Sequence, residues 1–339
     1  MPRAKVLGTV LVLGLLAGCS GGGSGSSSGG GGDRTGLRAA LARVADTAET
    51  RREVAYDDTA ALVKLAGRGW NSNSAYGQLR GFGASSLVAF EQLLAENPGI
   101  NLLDADYTVV AGQPPAQIGL VAGGQHQDKV NGMTRRGWKR QGDHLVAPPF
   151  SAADMDHPEN GELALNMATV KAGGSDMAYG GTGAKLDWVT SPGKQTLATD
   201  RAIGALADCL GDVVAAQVVS SYTASGAKPD LVAAGIRRPH GNSDTPHAVV
   251  CVSWPSASAA DQYASAVRTA LASGKSMRTL EPYADTLKHP TVRNVGGGTH
   301  VVGWGADTPG RAMLVFQMIS EMDLPALPSC RVSLGSSRC

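Results

Sequence analysis

The sequence has few of the features that assign a function directly. Beyond residue 32, no segment has the Gly-x-Ser-x-Gly form that is typical of the nucleophile elbow in serine hydrolases. No Cys-x-x-Cys pair occurs, so the cysteines lack the usual spacing of a structural zinc site. The 30 basic and 29 acidic residues almost cancel, which argues against a nucleic-acid-binding protein that depends on strong positive charge.

No apolar run after Cys19 has the length of a membrane span, and the one notable run lies at the start of the chain. Arg3 and Lys5 precede an apolar segment over residues 6–16, and small residues follow it. This order is typical of a secretory signal peptide. A transmembrane helix is the alternative interpretation, but about a dozen apolar residues are too few for a bilayer core that needs roughly 20.

The segment Leu16-Ala17-Gly18-Cys19 resembles the cut site of the bacterial lipoprotein class, in which a cysteine follows directly. The resemblance implies that residues 1–18 are removed and that the Cys19 thiol carries a diacylglycerol. It therefore implies a protein anchored by lipid to the extracytoplasmic face of the cell membrane. Residues 20–32 contain only Gly and Ser, so residues 19–32 are predicted to be a lipidated cysteine and a coil tether of roughly 20 Å.

The four remaining cysteines are an even number in a chain predicted to be exported, which favours two disulfides. Three pairings are possible. We favour Cys209 with Cys251, which would join a helix end to a strand, and Cys330 with Cys339, which would close the C-terminal tail on itself. The alternative for Cys209 and Cys251 is a pair of buried free thiols.

The body of the chain begins near residue 33 and is long enough for two domains. We predict one α+β domain over residues 33–197 and a second over residues 198–339, which includes a C-terminal tail. Patterns of period two and turn residues predict strands, and patterns of period 3.6 predict helices between them. The predicted strands cover residues 105–111, 116–122, 138–147, 212–222, 231–237, 248–254 and 299–305, and the clearest helices cover residues 36–49, 199–210, 258–273 and a segment that starts at residue 308.

This alternation predicts antiparallel sheets with helices packed on one face. Residues 116–137 and 247–274 repeat one pattern, since each contains a strand, a turn marked by Gly or Pro, and a helix that starts near an aspartate. Our hypothesis from this repetition is a ferredoxin-like unit that occurs twice.

The body also resembles exported lipoproteins of high-GC Gram-positive bacteria that have no assigned activity. Two segments carry the likeness, IGLVAGGQHQDKVNGMTRRGW at residues 118–138 and LADCLGDVVAA at residues 206–216. The resemblance implies no catalytic or ligand-binding residues.

The tightest group of potential metal ligands is His240, Asp244 and His247, in a predicted loop between two strands. Imidazole and carboxylate are ligands that zinc accepts, so these three residues are a candidate metal site. The alternative is a polar hairpin turn.

A second candidate surface is the basic run at residues 135–140. Its cations could contact an anionic wall polymer while Trp138 stacks on sugar. The alternative is that these cations lie at a helix C-terminus, where the helix dipole favours positive charge.

No set of nucleophile, base and orienting residues emerges from these segments. We therefore expect a non-catalytic binding or accessory module at the cell surface, with no cofactor. The expected partners are the membrane, through the lipid anchor, and a cell-wall polymer or an envelope protein, but no nucleic acid. Two alternatives stay open: a metal-dependent envelope hydrolase that uses His240 and His247, and an envelope sensor with a membrane partner.

Overall fold

The computed structural model describes residues 36–69, 74–149, 158–220, 229–295 and 298–327. The predicted signal peptide, the lipidated Cys19, the tether and the predicted Cys330–Cys339 pair lie outside the described residues. None of the described helices combines the length and the apolar character that a bilayer span requires.

The described residues form an α+β fold around one antiparallel sheet of twelve strands, which confirms the predicted fold class. The strands are β1 Glu53–Asp57, β2 Tyr107–Ala111, β3 Ile118–Ala122, β4 Lys139–Gln141, β5 His144–Val146, β6 Thr169–Gly173, β7 Asp176–Gly180, β8 Val213–Val219, β9 Leu231–Arg237, β10 His247–Trp254, β11 Lys288–Val295 and β12 His300–Asp307. Their order across the sheet is β11-β12-β10-β9-β8-β1-β2-β3-β7-β6-β5-β4.

The α-helices among the described residues lie between these strands. They are α1 Gly36–Leu41, α2 Thr59–Ala66, α3 Ser85–Val88, α4 Glu91–Glu96, α5 Gln127–Asn131, α6 Pro158–Asn166, α7 Asp187–Thr190, α8 Arg201–Leu210, α9 Ala257–Ser273, α10 Tyr283–Thr286 and α11 Leu314–Ser320.

The strand order repeats. In the C-terminal half β8, β9 and β10 are followed by α9 and then by β11 and β12, which gives the order β8-β9-β10-β12-β11. In the N-terminal half β1, β2, β3, β7 and β6 adopt the corresponding order, and β4, β5 and α6 are inserted after α5. This βββαββ unit differs from the βαββαβ unit of a ferredoxin-like fold, so the repeated pattern in the sequence reflects a repeat of another topology.

The two halves meet where β1 pairs antiparallel with β8, with Ala55 opposite Gln217. The predicted domain boundary between residues 197 and 198 therefore separates two halves of one continuous sheet.

Helices cover both faces of the C-terminal half, which corrects the expectation of helices on one face. Alternate residues of β10 divide between the two sides because successive side chains of a strand point to opposite faces. Val250 and Val252 pack in the same core cluster as Val267 of α9. Val249 and Cys251 pack in the other cluster, together with α8.

The disulfide between Cys209 and Cys251 links α8 to the centre of β10, with 6.2 Å between the two Cα atoms. This confirms the pairing predicted from the sequence. Both cysteines are buried. The bond fixes the last turn of α8 over the strands that form the site described next.

Candidate functional site

A shallow groove of about 130 Å³ lies beside the C-terminal end of α8, over strands β9 to β12. We call it the arginine groove. Its lining residues are Arg237, His247, Val249, Thr291, Arg293, Gly303, Trp304 and Gly305.

The register of the sheet brings these residues together. Val249 of β10 lies opposite Gly305 of β12, and Arg293 of β11 lies opposite Gly303. Because side chains alternate along β12, Gly303 and Gly305 occupy the groove side of the strand, while the Trp304 side chain packs in the opposite core and donates from Nε1 to the Tyr263 hydroxyl at 3.2 Å. The two glycines therefore leave room for the Cys209 sulfur and the His247 ring, which pack against them.

Two arginines converge on one carbonyl group. Arg237 Nη2 donates to the Cys209 carbonyl oxygen at 3.3 Å, and Arg293 Nη2 donates to the same oxygen at 3.0 Å. Cys209 is in the last turn of α8, where the carbonyl groups lack helical partners and carry partial negative charge. The shared acceptor holds the two guanidinium groups side by side.

A glycine at the helix end makes this approach possible. Gly211 follows α8 with a φ of 67°, and a Cβ atom there would lie 2.1 Å from Arg237 Nη1. Any larger residue would therefore meet both a strained backbone and the guanidinium group.

Neither arginine of the groove has a direct carboxylate partner among the described residues. Within the described ranges, no ion pair joins Arg237 or Arg293 to an Asp or Glu, and the bonds to Cys209 are the side-chain hydrogen bonds that the two guanidinium groups make. The pKa of Arg237 is lowered, first by burial and then by the charge of Arg293, while Asp212 opposes the shift.

The neighbouring Arg238 shows the contrast. Its guanidinium contacts Asp58 at 2.7 Å and Asp212 at 2.9 Å, and its pKa is raised because hydrogen bonds to these two carboxylates outweigh the effect of burial. Asp212 therefore makes its direct ion pair with Arg238 and acts on Arg237 only at longer range.

A histidine completes the lining. Asp307 accepts hydrogen bonds from His247 Nδ1 at 2.8 Å and from His289 Nδ1 at 2.9 Å, and these two bonds lower the pKa of Asp307. An ionised carboxylate only accepts, so the Nδ1 atom of His247 carries a proton. The Nε2 atom of His247 lies over Gly305, where a Cβ atom would come within 2.8 Å of it.

The candidate metal ligands have other contacts. The Asp244 carboxylate accepts from the backbone N–H groups of His240, at 2.8 Å, and Gly241, at 3.0 Å, as in a polar turn. His247 Nδ1 contacts Asp307 instead of Asp244. In the part of the chain that the structure describes, no group of three or more His, Cys, Asp or Glu side chains has an arrangement that could hold a metal ion.

The first two arginines of the basic run at residues 135–140 contact the end of α4. Arg136 Nη2 donates to the Leu93 carbonyl oxygen in the helix at 3.2 Å, and Arg135 Nη2 donates to the Pro98 carbonyl oxygen, just beyond the helix, at 3.3 Å. Trp138 is buried, and its Nε1 donates to the Met167 carbonyl oxygen at 2.8 Å. Trp138 is therefore part of the core and has no face for stacking on sugar.

Sequence reasoning missed the arginine groove because its residues are distant along the chain. The available signal was the alternation Gly303-Trp304-Gly305 in a strand, since glycine in a strand often marks a close approach.

Compared with protein-family models, curated proteins and solved structures, the chain shows no significant match to any of the three.

Proposed function

We propose that this protein is a lipid-anchored, extracytoplasmic binding module whose binding site is the arginine groove. One observation carries the binding role: Arg237 and Arg293 lie side by side in the groove, and among the described residues neither forms an ion pair with a carboxylate. Guanidinium groups are the side chains best suited to bind carboxylates and phosphates.

The side chains in the groove favour binding over catalysis. A hydrolase of the triad type needs a nucleophile in hydrogen-bond contact with the imidazole. The lining contains no serine and no free thiol, and no hydrogen bond joins the Thr291 hydroxyl to His247 within the described ranges. In a binding site, the role of Asp307 is to hold the His247 imidazole in position to contact the ligand.

The lipid anchor supplies the location in this proposal. It depends on the segment that ends at Cys19 and on the Gly/Ser tract after it, since two or more acyl chains hold a protein firmly to a bilayer. A binding body on a tether of roughly 20 Å would reach ligands near the membrane surface.

The binding role is tested by native mass spectrometry of the protein extracted from its own membranes. We expect a wild-type population that carries a noncovalent anionic molecule, and the loss of that molecule in the Arg237→Gln variant. Arg268→Gln is the matched control, because Arg268 is exposed on α9, away from the groove. Equal amounts of bound molecule in all three proteins would contradict the proposal.

A further inference from the structure

We infer that the arginine groove binds a phosphate group, either free or at the end of a larger molecule; this assignment rests on the binding role proposed above and specifies its ligand. The groups that converge on the groove, their charge, the size of the groove and the contacts that hold its frame support this assignment.

Three nitrogen-bearing groups face one cavity. Each guanidinium has five N–H donors, and one donor of Arg237 and one of Arg293 are used by the Cys209 carbonyl oxygen. His247 adds its Nε2, which donates when the ring is protonated and accepts from a P–O–H group when it is neutral. A tetrahedral phosphate offers an oxygen to each of the three groups, whereas a planar carboxylate has two oxygens.

The two guanidinium charges of the groove also match a dianion, since the nearby Asp307 carboxylate is hydrogen-bonded to His247 and His289. Arg237 and Arg293 repel each other, as the lowered pKa of Arg237 reflects in part, and the carbonyl group that they share carries only a fraction of a charge. A phosphate monoester carries between one and two negative charges near neutral pH, which offsets both cations, whereas one carboxylate offsets a single cation.

The volume limits what fits inside. A groove of about 130 Å³ is smaller than the roughly 300–1,000 Å³ of pockets that enclose a drug-sized ligand. One anionic group therefore enters the groove, and the rest of a larger ligand stays outside it.

Two contacts hold the frame of the groove in the absence of a ligand. The Cys209–Cys251 disulfide holds the acceptor carbonyl group against β10, and Asp307 holds the His247 ring through Nδ1. A site that is already ordered loses little conformational entropy on binding, which favours affinity for a small ion.

A purely structural role for the arginines, as caps of the α8 C-terminus, makes a different prediction. In that case Arg237→Gln and Arg293→Gln would lower the melting temperature, and the wild type would not bind phosphate. Binding must therefore be measured directly, beside thermal stability.

The test is isothermal titration calorimetry of the purified full chain at low ionic strength with inorganic phosphate, glycerol 3-phosphate and acetate. We expect saturable binding of both phosphates with a dissociation constant of roughly 1 mM or below, and acetate weaker by about ten-fold or more. Arg237→Gln and Arg293→Gln should each weaken phosphate binding by about ten-fold or more, because each loses a charged hydrogen-bond donor. Arg293→Lys, which keeps the charge but loses the planar fork, should give an intermediate loss.

Arg268→Gln is again the control, since it changes the net charge equally outside the groove. Circular dichroism melts establish that each variant is folded, and Arg293→Lys keeps the test valid if a Gln variant unfolds. Tighter binding of glycerol 3-phosphate than of free phosphate would identify an organic phosphate as the ligand, and equal binding would identify the free ion. No phosphate binding by the wild type, equal binding of acetate, or an equal loss in Arg268→Gln would overturn the phosphate assignment. These results would leave the mass-spectrometric test of the binding role unaffected.

Discussion

Cys251 and Gly303 lie directly opposite each other on β10 and β12, and the missing side chain of Gly303 provides the space for the disulfide. A Cβ atom at Gly303 would lie 2.8 Å from Cys209 Sγ, which is closer than a carbon and a sulfur atom can pack. The same glycine lines the arginine groove. Gly303 thus packs against the buried disulfide and also lines the proposed binding site.

The first prediction concerns this glycine. Gly303→Ala should lower the free energy of unfolding by about 1–3 kcal/mol, because the added methyl group must displace the buried disulfide. Urea denaturation monitored by circular dichroism measures the change. Gly173→Ala is the control, since a Cβ atom at Gly173 meets no atom within 4 Å. Equal stability of Gly303→Ala and the wild type would contradict this account of the packing.

The second prediction concerns the disulfide itself. The bond closes a loop of 42 residues, for which chain entropy gives about 4 kcal/mol of stabilisation. The double variant Cys209→Ala/Cys251→Ala should therefore unfold at a clearly lower urea concentration than the wild type. Nonreducing peptide mapping of the wild type should recover Cys209 linked to Cys251, and recovery of either residue as a free thiol would show that the pairing is wrong. The same map tests the predicted pair of Cys330 and Cys339.

The third prediction concerns pH. Asp57 is fully buried, and burial raises its pKa to about 6 against the opposing effect of hydrogen bonds from Thr59, Gly83 and Thr108. The folded state therefore binds this proton more tightly than the unfolded state, whose Asp has a pKa near 3.8. The contribution of Asp57 to the free energy of unfolding is therefore largest below about pH 4, falls as the pH rises toward 6, and is constant above that pH. The expected total loss is on the order of 2–3 kcal/mol.

Urea denaturation between pH 4 and pH 7 measures this contribution as the difference between the wild type and Asp57→Asn. As the pH rises, the free energy of unfolding of the wild type should fall relative to that of Asp57→Asn. Glu162→Gln, which neutralises an exposed carboxyl group, is the control and should give a profile parallel to that of the wild type. Parallel profiles for Asp57→Asn and the wild type would contradict the raised pKa.

The fourth prediction concerns membrane attachment. If the Cys19 sulfur carries the lipid, Cys19→Ser should move the protein from washed membranes to the soluble fraction or should leave the leader uncleaved, because serine offers no thiol for lipidation. Cell fractionation with immunoblotting measures the distribution, and Ser20→Ala is the control. Unchanged recovery of Cys19→Ser with membranes at full processing would contradict the anchor.

The sequence predicted the C-terminal half of the fold well. The prediction of a strand over residues 248–254 matches β10, His247–Trp254, and the predicted helix over residues 199–210 matches α8, Arg201–Leu210. The N-cap of α8 is Asp200, whose carboxylate accepts from the N–H groups of two residues in the first turn. Strong periodicity and clear caps explain this success.

Strands without such signals were missed. β11 contains Lys288, His289, Pro290 and Arg293 and is largely exposed, as is typical of an edge strand that carries charge and proline. Because the segment has no alternation of apolar and polar residues, its sequence does not predict a strand. β1 lies at the centre of the sheet, but only three apolar residues separate Glu53 from Asp57, and no paired run across a turn marks it as a strand.

The candidate site was beyond sequence reasoning for a similar reason. Arg237 and Arg293 become neighbours only through the pairing of β9, β10, β12 and β11, and their common acceptor belongs to a helix before all four strands. The sequence placed His247 in a group with Asp244, whereas the antiparallel register places it opposite Asp307. Local spacing gave no indication of either contact.

A crystal structure of the full chain grown with phosphate would show whether the arginine groove holds the ion. We expect electron density for one phosphate ion in the groove, within hydrogen-bond distance of the guanidinium groups of both Arg237 and Arg293. If the groove holds only water at saturating phosphate, with any bound ion elsewhere on the surface, the groove is not a phosphate site.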